Sequence, residues 1–471
     1  MKHAPRLLII GLDCAEPSLV FEDWKDDLPH LARLMQQGSY GTLESCIPAI
    51  TVPAWSCMTS GRDPGELGIY GFRNRADRSY QSMAVANSQA VREPRLWDIL
   101  SEAGWKVAVV SVPGTYPPTP LNGVMVSCFL TPNTTSAFTY PQSFADQIAQ
   151  LFPPASADHN TAYLLDVPHF RSEDKQRILQ DIYTLCDQRF SLAVHVLEHE
   201  QPDMLMMVEM GVDRIHHALW KQMDPRHPAY ESDAPLANAI HDYYRHVDQR
   251  IGELLAWCDN ETVVLVVSDH GARPLMGGFC INEWLIAEGY LVLHETPSEP
   301  IPLDEAQIDW SRTKAWGAGG YYGRIFLNVQ GREPEGVIAP SDFHQERAAL
   351  AERLEAIVGP DGQSLGNRAF LPQQIYGRVR GIAPDLVVYF SDLAWRSVGT
   401  VGGGALYTRE NDTGPDDANH AQDGLLIHYD PQRPGHGQRI TDAQIYDILP
   451  TLLNRFGVAA PAKLRGKVLD V

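Results

Sequence analysis

Leu7-Leu8-Ile9-Ile10-Gly11-Leu12-Asp13 is a short apolar run that ends on an acid. The pattern recurs twice. Residues 204–210 lead into Gly211-Val212-Asp213-Arg214-Ile215-His216-His217, and residues 262–267 lead into Ser268-Asp269-His270-Gly271. Runs this short and this rich in Ile, Val, Leu and Met read as strands buried on both faces, hence a parallel sheet. In an open α/β sheet, ligands bind beyond the carboxyl ends of the strands. Each of the three ends carries an Asp and two also carry a His, which describes a metal site.

Further strand-like runs lie at residues 106–112, 324–329, 385–390 and 424–428, and helical spacing at 174–200, 246–257 and 343–358. Alternation of this kind predicts a three-layer α/β/α fold with a mainly parallel central sheet. A last helix is expected to start at Thr441 and to bury Ile445, Ile448, Leu449, Leu452 and Leu453. Two stretches break the rhythm: 131–162 is rich in Pro, Thr, Ser and Asn, and 395–420 in Gly and Asp. Long loops inside a compact domain are usually functional. The expectation is one catalytic domain over 1–471, with a lid inserted between about 130 and 200 and an active-site loop at 395–420.

Composition narrows the function. Hydrophobic residues are 44% and charged residues 21%, ordinary for a globular protein with an ample core. A formal net charge of −21 argues against a nucleic-acid polymer or an anionic membrane as partner. An anionic substrate must then be drawn in locally, by metal ions or a few arginines. The seven cysteines are scattered without a Cys-x-x-Cys pair, which fits a reducing compartment. With the first strand starting about six residues in, and no apolar stretch near the ~18 residues of a membrane span, a cytoplasmic protein is expected. A homo-oligomer is left open.

His nitrogen and carboxylate oxygen suit zinc-class ions, and a pair of ions about 4 Å apart suits phosphoryl transfer. Asp213 and His217 are four apart, so on a first helical turn they face one way. The nucleophile candidate is Thr51, in Cys46-Ile47-Pro48-Ala49-Ile50-Thr51-Val52-Pro53-Ala54-Trp55. Pro53 suits the first turn of a helix running to about Thr59, which Gly61 stops. Thr51 would sit at the positive end of that helix, where backbone N–H groups cradle phosphoryl oxygens. The bland alternative is a capping Thr, and a lone Asp or His at a strand end is more often a turn or core residue. Repetition at several strand ends favours the site.

These residues resemble the alkaline phosphatase superfamily, in its type I phosphodiesterase/nucleotide pyrophosphatase branch with the neighbouring predicted phosphohydrolase/phosphomutase proteins. The likeness runs through Gly-Leu-Asp at 11–13, Pro-Ala-Ile-Thr-Val-Pro-Ala-Trp at 48–55 and the segment 59–69. It continues at 211–217, 268–271, 411–420 and 447–453. The resemblance implies a metal-dependent phosphoric ester hydrolase with a transiently phosphorylated Thr51 and two divalent ions, zinc first and manganese second. Carried over by position, Asp213, His217 and His420 would hold one ion, and Asp13, Thr51, Asp269 and His270 the other. His216 is expected to face away. Where nucleotide pyrophosphatases carry a phosphate-binding Asn, this chain reads Phe72-Arg73-Asn74, so Arg73 and Asn74 become the substrate-binding candidates. Arg396 and Arg409 are weaker ones, with solvent-facing charges as their alternative. Asp412, Asp416 and Asp417 come nearest to a third-metal cluster but read more simply as turn residues. A small phosphate ester, preferably a diester, is the expected substrate. A phosphomonoesterase or phosphomutase with the same site is the alternative, and a sulfatase fits less well because Thr51 replaces the Cys or Ser that is oxidised there. A degenerate scaffold protein is the non-enzymatic reading, which an intact set of ligands disfavours.

Overall fold

The computed structural model describes residues 4–153 and 162–471; residues 154–161, inside the stretch expected to form a lid, lie outside the described residues. At its centre is β1 (Leu7–Leu12), buried along its whole length. Its side chains alternate between two layers, as a pleated strand requires. Leu8, Ile10 and Leu12 enter one core, with side chains from α1 (Pro29–Gln37), α4 (Lys175–His199), α5 (Gly211–Met223) and α6 (Ala239–Leu255). Leu7 and Ile9 enter the other, with α2 (Thr51–Ser60), α3 (Leu96–Glu102) and α7 (Ile448–Arg455). This is the three-layer α/β/α fold, with a mainly parallel sheet.

The sheet has ten strands. Around β1 lie β2 (Ser39–Glu44), β3 (Val107–Val110), β4 (Gly123–Val126), β5 (Thr139–Tyr140), β6 (Met204–Glu209), β7 (Val263–Val267) and β8 (Asp423–Tyr429). The order is β2-β8-β7-β1-β6-β3-β4-β5, closed at the β2 edge by two short strands at 438–439 and 443–444. Strands β7, β1, β6, β3 and β4 are parallel, whereas β8 and β5 run against their neighbours. Register levels the carboxyl ends, since Leu12 pairs with Glu209 and Gly11 with Val267. The side chains that follow therefore emerge along one edge. Gly11 also sets the height of α2, because a Cβ there would meet Trp55 at 2.4 Å and Val208 at 2.8 Å.

Three expectations need correction. The runs at 324–329 and 385–390 do not join the central sheet. They appear as Gly323–Leu327 and Leu386–Tyr389, paired antiparallel in a separate sheet with Ala315–Ala318 and Arg368–Phe370. That sheet has its own core around Phe279, Trp316, Ile325 and Leu386, packed by helix Phe343–Glu355. A buried run of four to six residues looks the same whichever sheet it enters. The last helix begins at Ile448 rather than Thr441, because Ala443–Gln444 pairs with β2 and its backbone hydrogen bonds hold the chain extended. All five expected apolar residues, Ile445 to Leu453, are still buried. The stretch 395–420 is not a bare loop, since it contains strands at Trp395–Val398, Tyr407–Thr408 and Ala418–Ala421.

Residues 130–200 divide into parts with different surroundings. Thr139–Tyr140 lengthens the sheet edge, and α4 is a core helix with Ile182, Leu185, Phe190 and Ala193 fully buried. Between them, Phe170 and Arg171 reach the carboxyl edge of the sheet. No helix among the described residues is long and apolar enough to cross a membrane. All seven cysteines are free.

A buried histidine in this fold gives a pH test. His428 on β8 lies against Ile448 and Leu452 of α7, and burial pushes its pKa down to about 4. The unfolded chain takes up a proton near pH 6.5, before the folded chain does, so stability is lost as pH falls from about 6.5 to about 4. The loss is at most about 3 kcal/mol for that one group. Denaturant unfolding of His428→Leu should show a shallower acid slope than wild type over this window, and identical slopes would refute it.

Candidate metal centre

The level strand ends bring the expected acids together. Asp13 follows β1, Asp213 sits in the first turn of α5, and Asp269 and His270 follow β7. His420 comes from the strand Ala418–Ala421, where Ala272 pairs opposite it. Asp13, Asp269 and His270 have no exposed surface, and Asp213, His217, His420 and Thr51 are at most 3% exposed. The chain turns sharply after Asp13, with Cys14 at φ 64°, and the Cys14 N–H donates to Asp269 Oδ1 at 3.2 Å. Trp55 Nε1 donates to Asp13 Oδ2 at 2.7 Å, tying α2 to the same edge.

What remains is a set of buried acceptors facing one another. Asp13 Oδ1, Asp213 Oδ1, Asp269 Oδ2, His217 Nε2 and His420 Nε2 make no hydrogen bond. Each histidine instead has its other ring nitrogen beside an oxygen. His217 Nδ1 lies 2.6 Å from Asp416 Oδ1 and 3.1 Å from the Ala418 carbonyl. His270 Nδ1 lies 3.1 Å from the Gly271 carbonyl, and His420 Nδ1 3.0 Å from that of Ala49. Those oxygens only accept, so each Nδ1 carries a proton, and on the neutral rings of His270 and His420 that leaves the Nε2 lone pair turned to the centre. His217 Nε2 is 3.2 Å from Asp213 Oδ1, and His270 Nε2 is 3.2 Å from Asp269 Oδ2. Buried nitrogen and carboxylate oxygen atoms without hydrogen-bond partners, held this close, fit a cation between them.

The electrostatics say the same. Burial and the neighbouring Asp213 push Asp13 well above the usual carboxylate range, and burial with Asp13 does so for Asp269. Burial works against the charge of Asp213 too, but His217, Arg214 and His420 outweigh it and hold its pKa low. His217 is likewise penalised by burial, yet Asp416, Tyr321 and Asp213 pull its pKa well up. Burial lowers His270 to about 4 and holds His420 well below the usual imidazole range, leaving both rings neutral and free to ligate. Of the four three-residue groups among the described residues whose donor atoms lie within 4.8 Å of one another, two at this centre are made of carboxylates and imidazoles alone: Asp213, His217, His420 and Asp13, Asp213, His270. Asp213 belongs to both. Cys14 lies near His270 and His420, but burial raises its thiol pKa and Sγ donates to the Gly271 carbonyl at 3.3 Å, so it is a poor ligand. Carboxylate and imidazole donors of this number fit zinc-class divalent ions.

Thr51 opens α2, which ends at Ser60 with Gly61 in the left-handed conformation, as the sequence leads one to expect. Its Oγ1 is 3.5 Å from His270 Nε2. His216 points elsewhere: its Nε2 lies 3.2 Å from the Tyr244 hydroxyl, and burial lowers its pKa to about 3.

The substrate-binding candidates stand apart from the metal-ligand cluster. Asn74 is used within its own turn, accepting from the Tyr70 N–H at 2.7 Å and donating to the Gly71 carbonyl at 3.0 Å. Arg73 is exposed and lines a cavity with Tyr80, Trp316 and Arg324. Arg396 is buried and bonds Asp412 at 3.2 Å and Asp416 at 3.5 Å, so it is not a solvent-facing charge. Arg409 lines another cavity with Asp416 and Asp417. The acids read as turn residues are spent on partners: Asp412 on Arg396 and the Gly399 N–H, Asp417 on Lys221 at 3.4 Å, Asp416 on His217 and Arg171. Sequence reading missed Asp416, Arg171 and Tyr321. Arg171 Nε donates to Asp416 Oδ2 at 3.1 Å and its guanidinium to the Tyr321 hydroxyl, while the Tyr321 ring stacks on His420 at 4.1 Å. The one available signal was Asp416 standing four residues before His420.

Comparison with known proteins bears on the family and the fold. The family model for type I phosphodiesterase / nucleotide pyrophosphatase matches residues 7–416. Among solved structures, phosphonoacetate hydrolase from Sinorhizobium meliloti 1021, in complex with phosphonoformate, superposes with a TM-score of 0.57 at 16% identity, covering 95% of this chain and 94% of its own. Murine ectonucleotide pyrophosphatase/phosphodiesterase 5, in an inactive form with AMP, gives 0.52 at 12% identity, covering 98% and 97%. At these identities the two structures share the fold. No curated protein sequence matches the chain.

Asp416 gives the centre its own test. Removing a carboxylate that fixes a ligating histidine typically weakens metal affinity by about 10–100-fold. Asp416→Ala is expected to do so in chelator-competition titrations with zinc. Unchanged affinity would mean that His217 does not ligate.

Proposed function

The chain belongs to the type I phosphodiesterase/nucleotide pyrophosphatase family of the alkaline phosphatase superfamily, a family of hydrolases, and from that premise we propose that it hydrolyses phosphate esters, diesters in preference, through a phosphorylated Thr51. The observation that carries this reading is the ring of buried acceptors without partners at the sheet edge, with the Thr51 hydroxyl on its border. Asp213, His217 and His420 would hold one divalent ion; Asp13, Asp269, His270 and Thr51 would hold a second. Zinc is the first choice and manganese the second. When bound, such ions lower the pKa of a coordinated hydroxyl and offset charge on the phosphoryl oxygens.

The residues of the chain do the rest. Thr51 Oγ1 gives up its proton to water and forms a bond to phosphorus as the bond to the departing alcohol oxygen breaks, and that oxygen takes a proton from water. A further water then attacks the phosphothreonine, its oxygen bonding to phosphorus as the P–Oγ1 bond breaks and its proton passing to Oγ1 to regenerate the hydroxyl. Thr51 stands at the N-terminus of a ten-residue helix, whose first N–H groups have no partner within it and favour phosphoryl oxygens. Trp55 keeps Asp13 oriented, and the stacked rings of His270, His420 and Tyr321 exclude water from one flank. Phe170 and Arg171, within the stretch read as a lid, would close the site from above.

Diester preference rests on charge. A monoester dianion brings one more negative charge, and the acids nearest to a third metal site, Asp412, Asp416 and Asp417, are already engaged. Phe72 packs against the apolar cluster that includes Ala49 and Ile50, the residues just before Thr51, and would offer an apolar wall for a second ester group.

Thr51→Ala should lower kcat by at least about a thousandfold with metal content unchanged, while Thr51→Ser stays within about tenfold of wild type. An Ala variant retaining a tenth of the rate or more would point to direct attack by water. For ester class, kcat/KM is expected to be at least about tenfold higher for bis(p-nitrophenyl) phosphate than for p-nitrophenyl phosphate, a difference of about 1.4 kcal/mol. The reverse preference would favour a phosphomonoesterase or phosphomutase.

A further inference from the structure

We propose that a cavity of about 370 Å³, joined to the metal centre through Tyr321 and Arg396, receives the leaving group of the substrate, and that this group is an aromatic ring with a negative charge of its own. The inference deepens the phosphodiesterase reading and rests on it for the word "leaving". Its chemistry comes from the cavity wall.

One side of the wall is aromatic and already ordered. Tyr80 stacks on Trp310 with centroids 3.6 Å apart and planes 5° from parallel. Trp316 meets both edge-on, at 5.4 Å and 5.2 Å. Tyr80 is pinned by its hydroxyl, which donates to Asn328 Oδ1 at 2.9 Å and accepts from the Glu335 N–H at 2.9 Å. A flat ring can therefore be received with little loss of side-chain freedom.

The other side is cationic. Arg324 donates to the Arg73 carbonyl, which brings the two residues together at the cavity, and among the described residues neither guanidinium pairs with a carboxylate. The other charges on the wall are largely spent: Arg75 on Glu333 at 3.2 Å, and Asp412 on Arg396. Only Asp304 opposes Arg73 and Arg324, so the lining is net positive in a chain of net charge −21. Two unpaired guanidiniums against an aromatic wall select a planar anion, by charge-assisted hydrogen bonds at one end and stacking at the other.

The cavity is connected to the centre along two routes. Gly319, on its lining, is two residues from Tyr321, whose ring stacks on His420. Asp412, also on the lining, leads through Arg396 and Asp416 to His217. Along these connections a group leaving from phosphorus at Thr51 would be received by this charged and aromatic wall.

Calorimetric titration of the metal-loaded protein with 2-naphthoate and with 2-naphthol tests the proposal. The two probes share a ring and differ in charge. Naphthoate is expected to bind at least about tenfold more tightly, the worth of one good charge-assisted bond. Arg73→Gln and Arg324→Gln should each weaken naphthoate at least about fivefold and leave naphthol unchanged, whereas Trp316→Ala weakens both. Arg73 is exposed, so its variant tests the idea even if substitution at Arg324 or Trp316 impairs folding. Naphthoate should also inhibit turnover of bis(p-nitrophenyl) phosphate competitively. Equal binding of the two probes would overturn the proposal. So would naphthoate binding that ignores Arg73, as expected of a carboxylate held by the metals, or binding without competition. A protein that binds naphthoate through Arg73 but turns over no ester would keep the ligand class and refute the phosphodiesterase reading instead.

Discussion

Lone pairs with nothing between them are the constraint on which the rest of this structure depends. Asp13, Asp213, Asp269, His217 and His420 each turn a buried nitrogen or oxygen toward the same place at the sheet edge, and none of those atoms has a hydrogen-bond partner. Leaving several buried acceptors unpaired costs about 1–3 kcal/mol apiece, more for charged ones. A fold that keeps them together must regain that cost from a bound cation. Much around the centre holds them there: the left-handed turn at Cys14, the indole of Trp55 on Asp13, the carbonyls of Ala49, Gly271 and Ala418 on the histidines.

The strand ends were legible because two signals coincide there. An apolar run marks a buried strand, and a polar residue directly after it falls on the carboxyl edge whatever the rest of the fold. Asp13, Asp213, Asp269 and His270 follow from that rule, and His217 from helical spacing on α5. Thr51 followed from Pro53 and Gly61 bracketing a helix. His420 did not, because it sits mid-strand in a small two-stranded ladder that no local pattern announces, and only family resemblance pointed to it. Asp416 was misread as a turn residue because its function lies in a partner about 200 residues away. The second sheet was invisible for a related reason: its strands are as buried and as short as those of the first.

The polar network behind His217 gives the 395–420 segment a meaning beyond covering the site. Asp416 is fully buried, and although burial works against its charge, His217, Arg171 and Arg396 together hold its pKa low. It therefore stays ionised and keeps the proton on His217 Nδ1. Arg396 links the same carboxylate to Asp412 on the cavity wall, and Arg171 links it to Tyr321. Metal ligand, loop and neighbouring cavity thus share one set of charges. In so acidic a chain, an anionic ester finds positive charge in few places, and the bound ions with Arg73 and Arg324 would supply it where the reaction needs it.

The claim beneath all of this is that the acceptor ring holds two ions, with Asp213 between them. Anomalous diffraction from crystals of protein purified without added metal, recorded on either side of the zinc edge, reads it directly. Two peaks are expected, one against Asp213, His217 and His420 and the other against Asp13, Asp269, His270 and the Thr51 hydroxyl. A metal-replete crystal with no peak beside Asp13 and Asp269, or with ions bound elsewhere and the ring filled by water, would contradict it.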